Sequence, residues 1–353
     1  MKILVVNPGS TSTKIAVFED EKQVFKLNIS HPTDELSKFK EITDQFEFRK
    51  NMIVDELKKN NIEFNFNAIA GRGSLAKPVA GGVYEINDKM IEDTKNAMLK
   101  HACNLGCMIS REIANEIPGC RCFIADPGVV DEMCEEARVT GSPLMPRMCI
   151  WHALNQKAIA RRFAKEQGKA YEDLNLIVCH LGGGVSVAAH RNGLAIDTNN
   201  ALDGEGPFSP ERAGTLPAGD VVRLCFSGKY TEKEMLKMLA GKGGVTAHLG
   251  TNDMIDVENR AIAGEKQPAL LLDAMAYQTA KSIAAEAAVL KGKVDAILIT
   301  GGLARAKYIV DRIIERVSFI APIHLYPGED ELEALALNAL AVLRGERQAK
   351  EYV

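Results

Sequence analysis

Apolar and polar residues alternate along this chain in short blocks, and two of those blocks share one layout. Ile3-Leu4-Val5-Val6 runs into Asn7-Pro8-Gly9-Ser10-Thr11-Ser12-Thr13 and then Lys14-Ile15-Ala16-Val17-Phe18. Leu176-Ile177-Val178-Cys179 runs into His180-Leu181-Gly182-Gly183-Gly184 and then Val185-Ser186-Val187-Ala188-Ala189. Each block is an apolar strand, a polar residue at its end, a turn rich in Gly or Ser, and a second strand. Small residues let the backbone approach an anion, and successive turn N–H groups can form an anion-binding nest. Two such turns in corresponding halves predict one nucleotide held between two domains.

The rest of the pattern fills in an α/β chain. Phe48, Met52, Ile53, Glu56 and Leu57 recur at helical spacing within 47–60. Ala68-Ile69-Ala70 reads as a buried strand ending in the turn Gly71-Arg72-Gly73-Ser74, and residues 87–116 read as mostly helical up to Pro118-Gly119. A strand over 121–125 ends at Asp126-Pro127. The Gly/Pro-rich stretch 140–147 is the best domain boundary. A helix over 152–167 precedes the second hairpin, and 203–220 reads as a long functional loop. Then come an Ala-rich helix over 268–291, a strand over 294–299 leading into Thr300-Gly301-Gly302, a helix to about residue 317, a strand over 323–326 and a last helix to about residue 344. Hairpins followed by alternating strands and helices imply a mixed sheet in each half.

Composition narrows the class. The length of 353 residues suits two domains, and 46% hydrophobic with 25% charged residues is ordinary for a globular protein. The formal net charge of −4 gives no footprint for nucleic acid or a basic membrane patch. The opening residues lack the apolar run of a signal peptide, and no stretch approaches a bilayer span. A cytoplasmic protein is expected. Six of the 8 cysteines fall between Cys103 and Cys149. Without paired C-x-x-C spacing they read as free, buried thiols rather than a zinc site.

A Walker A loop is absent, because Gly9-Ser10-Thr11-Ser12-Thr13-Lys14 lacks the second Gly before Lys. The G-x-G-x-x-G fingerprint is absent too, since Gly182-Gly183-Gly184 sits between strands rather than before a helix. Instead the motifs VVNPGSTSTK, AGRGS, GGVYEIND, IADPGVVDE, HALNQKAIARR, HLGGGVSVAAH, GEGPFSPERAG, LITGGLA and PGEDELEALA run nearly end to end. With them the chain resembles the acetate and butyrate kinase family, within the superfold shared by acetate kinases, sugar kinases, chaperones and actin. GEGPFSPERAG, PGEDE and HALNQKAIARR are more like its butyrate kinases than its acetate kinases. The resemblance implies two duplicated ribonuclease-H-like domains with a nucleotide cleft between them. The first is expected at 1–145, joined by a C-terminal helix from about 332–353, and the second, nucleotide-binding one at 146–331. It also implies ATP or ADP with Mg²⁺, a short-chain carboxylate substrate, and a homodimer or higher oligomer.

Chemistry gives that resemblance a rationale. A carboxylate with a pKa near ~4 is already ionised at neutral pH, so it needs no general base to attack phosphorus. It needs charge neutralisation and in-line positioning. Arg72, between two glycines at a strand end, reads alone as a turn arginine; by resemblance it clamps the carboxylate and phosphoryl groups. Arg212, in the long loop, reads alone as the partner of a nearby acid; by resemblance it is the second clamp. An Arg fork suits both tasks. His180, beside the triple glycine, becomes by resemblance a donor to the transferring phosphoryl oxygens. Asp126 becomes an orienter of an Arg or a contact to Mg²⁺ through water. Asn7, Ser10, Ser12 and Lys14 would surround the β- and γ-phosphates, with Lys14 alternatively pointing outward along its strand. Gly182, Gly183 and Gly184 form the second phosphate turn, and Gly301 and Gly302 would pass under the adenosine. Glu331, with Asn7, would hold Mg²⁺, against Glu329 and Asp330 as competitors. His101 and His152 are weaker candidates for the site. The rival readings are a kinase for a branched, aromatic or other small acid, a hydroxyl kinase using Asp126 as base, and a nucleotide-dependent regulatory protein.

Overall fold

The computed structural model describes residues 1–353 apart from Met98. The chain divides into two units, Met1–Val130 with Asp330–Val353, and Asp131–Glu329. The second unit therefore begins earlier than the expected boundary near 145. Residues 131–147 are tied into it: Cys134 N donates to Ile196 O at 2.9 Å, Lys157 Nζ meets Glu132 Oε2 at 2.6 Å, and Arg147 Nη1 meets Asp197 Oδ1 at 2.9 Å. The Gly/Pro-rich stretch is a loop of that unit.

The first unit holds β1 (Lys2–Pro8), β2 (Ser12–Glu19), β3 (Lys22–Ser30), β4 (Ala68–Gly71), β5 (Val83–Glu85) and β6 (Arg121–Ala125). Their order in the sheet is β3-β2-β1-β4-β6-β5. The second unit holds β7 (Leu176–Leu181), β8 (Val185–Arg191), β9 (Leu194–Thr198), β10 (Ala296–Gly301) and β11 (Ile323–Pro327), ordered β9-β8-β7-β10-β11. In both sheets an antiparallel meander of three strands is extended by two parallel strands; the first adds antiparallel β5 at its edge. The repeated layout legible in the sequence is thus a repeated topology.

Period-2 alternation gives each sheet two buried faces. In the first unit Leu4, Val6, Ile15 and Val17 pack with Ile53 and Leu57 of the helix Phe46–Lys59 and with Leu105 and Ile109 of the helix Asn104–Asn115. The helix Glu331–Leu343 packs on β1, β4 and β6. In the second unit Ile177, Cys179, Val187, Ile297 and Ile299 join Leu272, Met275 and Ile283 of the helix Lys266–Val289. Leu176, Val178, Ala296 and Leu298 face Ile159, Ala160 and Phe163 of the helix Ala153–Glu166. Each such fully buried aliphatic side chain contributes about 1.5–3 kcal/mol.

The span expected to be mostly helical over 87–116 is two helices, Asp88–Lys95 and Asn104–Asn115, and Met98 between them lies outside the described residues. The helices Ala218–Cys225, Glu232–Leu239, Gly244–Leu249 and Met254–Ile262 occupy a stretch where the pattern names no element beyond the loop ending near 220. Among the described residues no helix is long and apolar enough to cross a membrane.

Candidate active site

In the second unit, alternation along β7 puts Leu176, Val178 and His180 on one face. That face carries the helix Ala153–Glu166, so His180 arrives at the helix's first turn, with Nδ1 2.9 Å from Asn155 Oδ1. His152, just before the helix, stacks on His180 with ring centroids 3.8 Å apart and planes 8° apart. His180 pairs across the hairpin with Ser186, whose Oγ lies 2.8 Å from His152 Nδ1. His180 is fully buried. Glu329 Oε1 stands 3.2 Å from its Nε2 but out of hydrogen-bonding alignment.

The triple-glycine turn is crowded on purpose. Gly182 N donates to Gly184 O at 3.0 Å, and Ser209 Oγ donates to Gly183 O at 2.6 Å. A Cβ on Gly182 would stand 2.8 Å from His180 Nε2 and 3.1 Å from Glu329 Oε1, and a Cβ on Gly184 would collide with the Arg212 guanidinium. Only glycine lets an imidazole, a carboxylate and a cation converge on one turn. Arg212 also donates to Ala201 O, which fixes the guanidinium there. Gly301, at φ 93°, exchanges backbone hydrogen bonds of 3.1 and 2.9 Å with Gly328, and a Cβ on it would collide with Leu181 O. Gly302 is exposed and opens the 3₁₀ turn Gly302–Arg305.

In the first unit Asn7 is buried at the end of β1, and its Nδ2 donates to Glu331 Oε2 at 2.8 Å. Arg72 Nη1 donates to the same oxygen at 2.7 Å. Glu331 is the first residue of its helix and is 5% exposed. Of the three competing acids, Glu331 is thus the one joined to Asn7 and Arg72, whereas Glu329 lies beside His180. Arg72 follows β4, where Gly71 and Gly106 allow strand end and helix to touch: a Cβ on either would collide with the other segment's backbone. Asp126 is buried at the end of β6 with φ 38°, an uncommon conformation for a residue with a side chain. Its Oδ1 accepts from Gly82 N at 2.7 Å.

The first turn is held by a buried cation absent from the sequence reading. Arg49 donates to Gly9 O at 2.7 Å, Ser10 O at 3.0 Å, Ser12 O at 3.4 Å and Thr13 Oγ1 at 3.3 Å. Burial pushes its pKa down to about 10, so it stays charged at neutral pH. Across a trans peptide C=O and N–H point opposite ways. With the Gly9 and Ser10 carbonyls turned to Arg49, the N–H groups of Ser10 and Thr11 point away from it. Ser10 is exposed and Ser12 half-buried. Lys14 lies opposite Asn7 in the ladder but is exposed. His101 Nδ1 accepts from Cys103 N at 3.2 Å. The cysteines are free, and burial pushes the Cys107 and Cys149 thiols up to about 12.

Both donors to Glu331 fall on Oε2, which leaves Oε1 for a water or a hard cation. Among the described residues no group of three or more His, Cys, Asp or Glu could hold a metal.

Asn155, Gln156, Ser186, Ser209 and Arg49 are the site residues the sequence reading missed. Hairpin register alone gives Ser186 away, since it stands opposite His180.

Residues 147–326 match the model of the acetokinase family. The chain is 59% identical over 352 residues to a probable butyrate kinase of Bacteroides thetaiotaomicron, covering 100% of both chains. It is 56% identical over 353 residues to butyrate kinase 2 of Clostridium acetobutylicum, covering 99% of each. In structure it is similar to Porphyromonas gingivalis acetate kinase, with a TM-score of 0.79 at 20% identity over 97% of this chain and 99% of that one.

Proposed function

The chain belongs to the acetokinase family, and from that premise we propose that it moves the γ-phosphoryl group of ATP reversibly to the carboxylate of a short-chain fatty acid, butyrate foremost. It is a phosphotransferase with a carboxyl acceptor. The observation that carries the choice of butyrate is end-to-end identity above half with curated butyrate kinases.

In this reading Arg72 and Arg212 neutralise the charge of carboxylate and phosphates. His180, stacked on His152, serves the equatorial oxygens as negative charge grows on them. The outward N–H groups of Ser10 and Thr11 and the glycines 182–184 receive phosphate oxygens, and Gly301 and Gly302 lie under the nucleoside. Asp126, strained and buried, fixes the segment carrying Gly82 rather than acting as a base, because the acceptor is already an anion. Mg²⁺ brought with the nucleotide would meet Glu331 Oε1 through water near Asn7, and it supplies positive charge to the phosphates. Support for a homo-oligomer comes from the helix Ala218–Cys225, which buries none of its residues within the chain, followed by Phe226 at 88% exposure. The cytoplasm, where ATP and acyl phosphates are available, is the compartment this chemistry needs.

The test is trapping of acyl phosphate by hydroxylamine with MgATP and straight-chain acids from acetate to hexanoate, alongside isobutyrate. A maximum at butyrate, abolished by Arg212→Ala, is expected. ATP binding with no acid-dependent product would sink the reading, and a product formed on hydroxyl acceptors instead would make Asp126 a base.

A further inference from the structure

Arg49 carries a charge that its own surroundings do not balance. It is 0% exposed, on the buried face of the helix Phe46–Lys59. Every acceptor it reaches is a neutral oxygen. These are the Gly9, Ser10 and Ser12 carbonyls, the Thr13 hydroxyl, and Gln45 Oε1, which takes Nε at 3.0 Å and Nη2 at 2.9 Å. Among the described residues no carboxylate pairs with it, and burial alone moves its pKa. Thr13 Oγ1 also lies 2.8 Å from His31 Nε2, but that imidazole offers no negative charge. A cation taken out of water without a counter-ion is among the costliest groups a fold can hold.

The peptides of the turn solvate it instead. The Gly9 and Ser10 carbonyls are the ones held most closely, at 2.7 and 3.0 Å. The Thr11 carbonyl is turned to His31 N at 2.8 Å. Each anchored carbonyl fixes the direction of the next residue's N–H. The N–H groups of Ser10 and Thr11 therefore face away from Arg49, and both residues are exposed. Among the described residues neither N–H has a partner within the chain. The positive ends of two consecutive peptides thus face solvent over a buried positive charge. Adjacent turn N–H groups form a nest for an anion. A cation behind them strengthens the nest, because the protein between charge and anion screens far less than water does.

We infer that Arg49, sealed from solvent, is a positioning residue whose counter-ion is the ligand: it orients the Gly9–Ser12 turn and lends its charge through the peptides to a nucleotide phosphate seated on the outer face. The inference rests on the reading that this turn receives nucleotide phosphate. A guanidinium suits the task because its planar fork reaches two carbonyls at once, which an ammonium cannot do with the same rigidity.

The experiment measures binding of MgATP and of adenosine to the full chain by calorimetry, without acid present. Arg49→Met should weaken MgATP about tenfold, the worth of one charge felt across a peptide. Adenosine has no phosphate and should bind as before. Arg49→Lys keeps a cation without the fork and should fall between. Leu57→Ala, on the same helix, is the control: it is also 0% exposed but carries no charge. It should destabilise the chain and leave both affinities alone. In turnover, Arg49→Met should raise KM for ATP and keep KM for the acid. If Arg49→Met does not fold, Arg49→Lys set against Leu57→Ala decides. MgATP affinity that survives the loss of the charge overturns the inference. So does a loss that adenosine shares equally, or one that Leu57→Ala reproduces. The expected binding pattern in a wild type that makes no acyl phosphate from any acid would instead sink the functional reading and leave the role of Arg49 standing.

Discussion

β1 and β7 hold the same place in their sheets, and each ends in a polar residue turned toward the first turn of a covering helix. At β1 that residue is Asn7, and the helix offers Glu331, which Arg72 also binds. At β7 it is His180, and the helix offers Asn155, with His152 stacked alongside. The turns that follow differ as well. A buried guanidinium grips the first from inside, whereas the second is held by a serine hydroxyl and crowded from outside by Arg212 and Glu329. One topology thus carries a carboxylate held by an amide and a guanidinium at one strand end, and a stacked pair of imidazoles at the other. Strand order sets where chemistry is delivered; the single residue at the strand end sets which chemistry it is.

The sharpest way to break this contrast is Arg49→Met, which removes the internal grip of the first turn and leaves several carbonyls without a donor. It should cost about 3–5 kcal/mol in urea unfolding; an unchanged midpoint would mean the turn is held by something else. Next is Gly184→Ala, whose new methyl displaces the flexible end of Arg212. Activity should fall about a hundredfold with stability nearly kept. Gly9→Ala, whose Cβ would stand 3.4 Å from Ser12 O, should be mild, and equal effects at the two turns would erase the distinction.

The units should also answer pH in opposite senses. Burial pushes Glu286, in the second unit, up to about 8, so the native state keeps a proton that the unfolded chain releases above about 4.5. That contribution to stability is lost as pH rises from about 4.5 to 8, and Glu286→Gln should recover about 2 kcal/mol at pH 8. Burial pushes His31, in the first unit, down to about 4, so its contribution is full above about 6.5 and lost as pH falls towards 4. Urea midpoints across pH, with His31→Gln as the partner variant, would show both slopes. The smallest effect is expected from Ser209→Ala, about 1 kcal/mol, for the one hydroxyl holding the Gly183 carbonyl.

Much of this was legible in the chain. Strong apolar runs marked β1, β2, β6, β7 and β8, and glycine with its neighbours marked both turns and Arg72. Edge strands β3 and β9 escaped because polar residues interrupt them, although Phe25, Leu27 and Ile29 do alternate. The exposed helices between 218 and 262 bury too few residues to imprint a period. In the helix Phe46–Lys59 the apolar stripe misled: the buried positions are Arg49, Ile53 and Leu57, and a buried arginine reads as surface in any hydrophobic pattern. Gln156 and Ser186 hid for the same reason. Polar residues packed against each other inside a fold look like solvent-facing ones until register pairs them.

Glu331 reaches Asn7 and Arg72 from the far end of the chain, and Lys350 pairs with the strand at Tyr84. A ribosome therefore finishes the continuous middle unit before the opening one has its last helix. The first unit must wait, incomplete, for residues translated after the whole of the second, the opposite of the N-terminal-first order usual during synthesis. A nascent chain cut short before residue 330 would carry both glycine-bearing turns and still lack the carboxylate that ties Asn7 to Arg72.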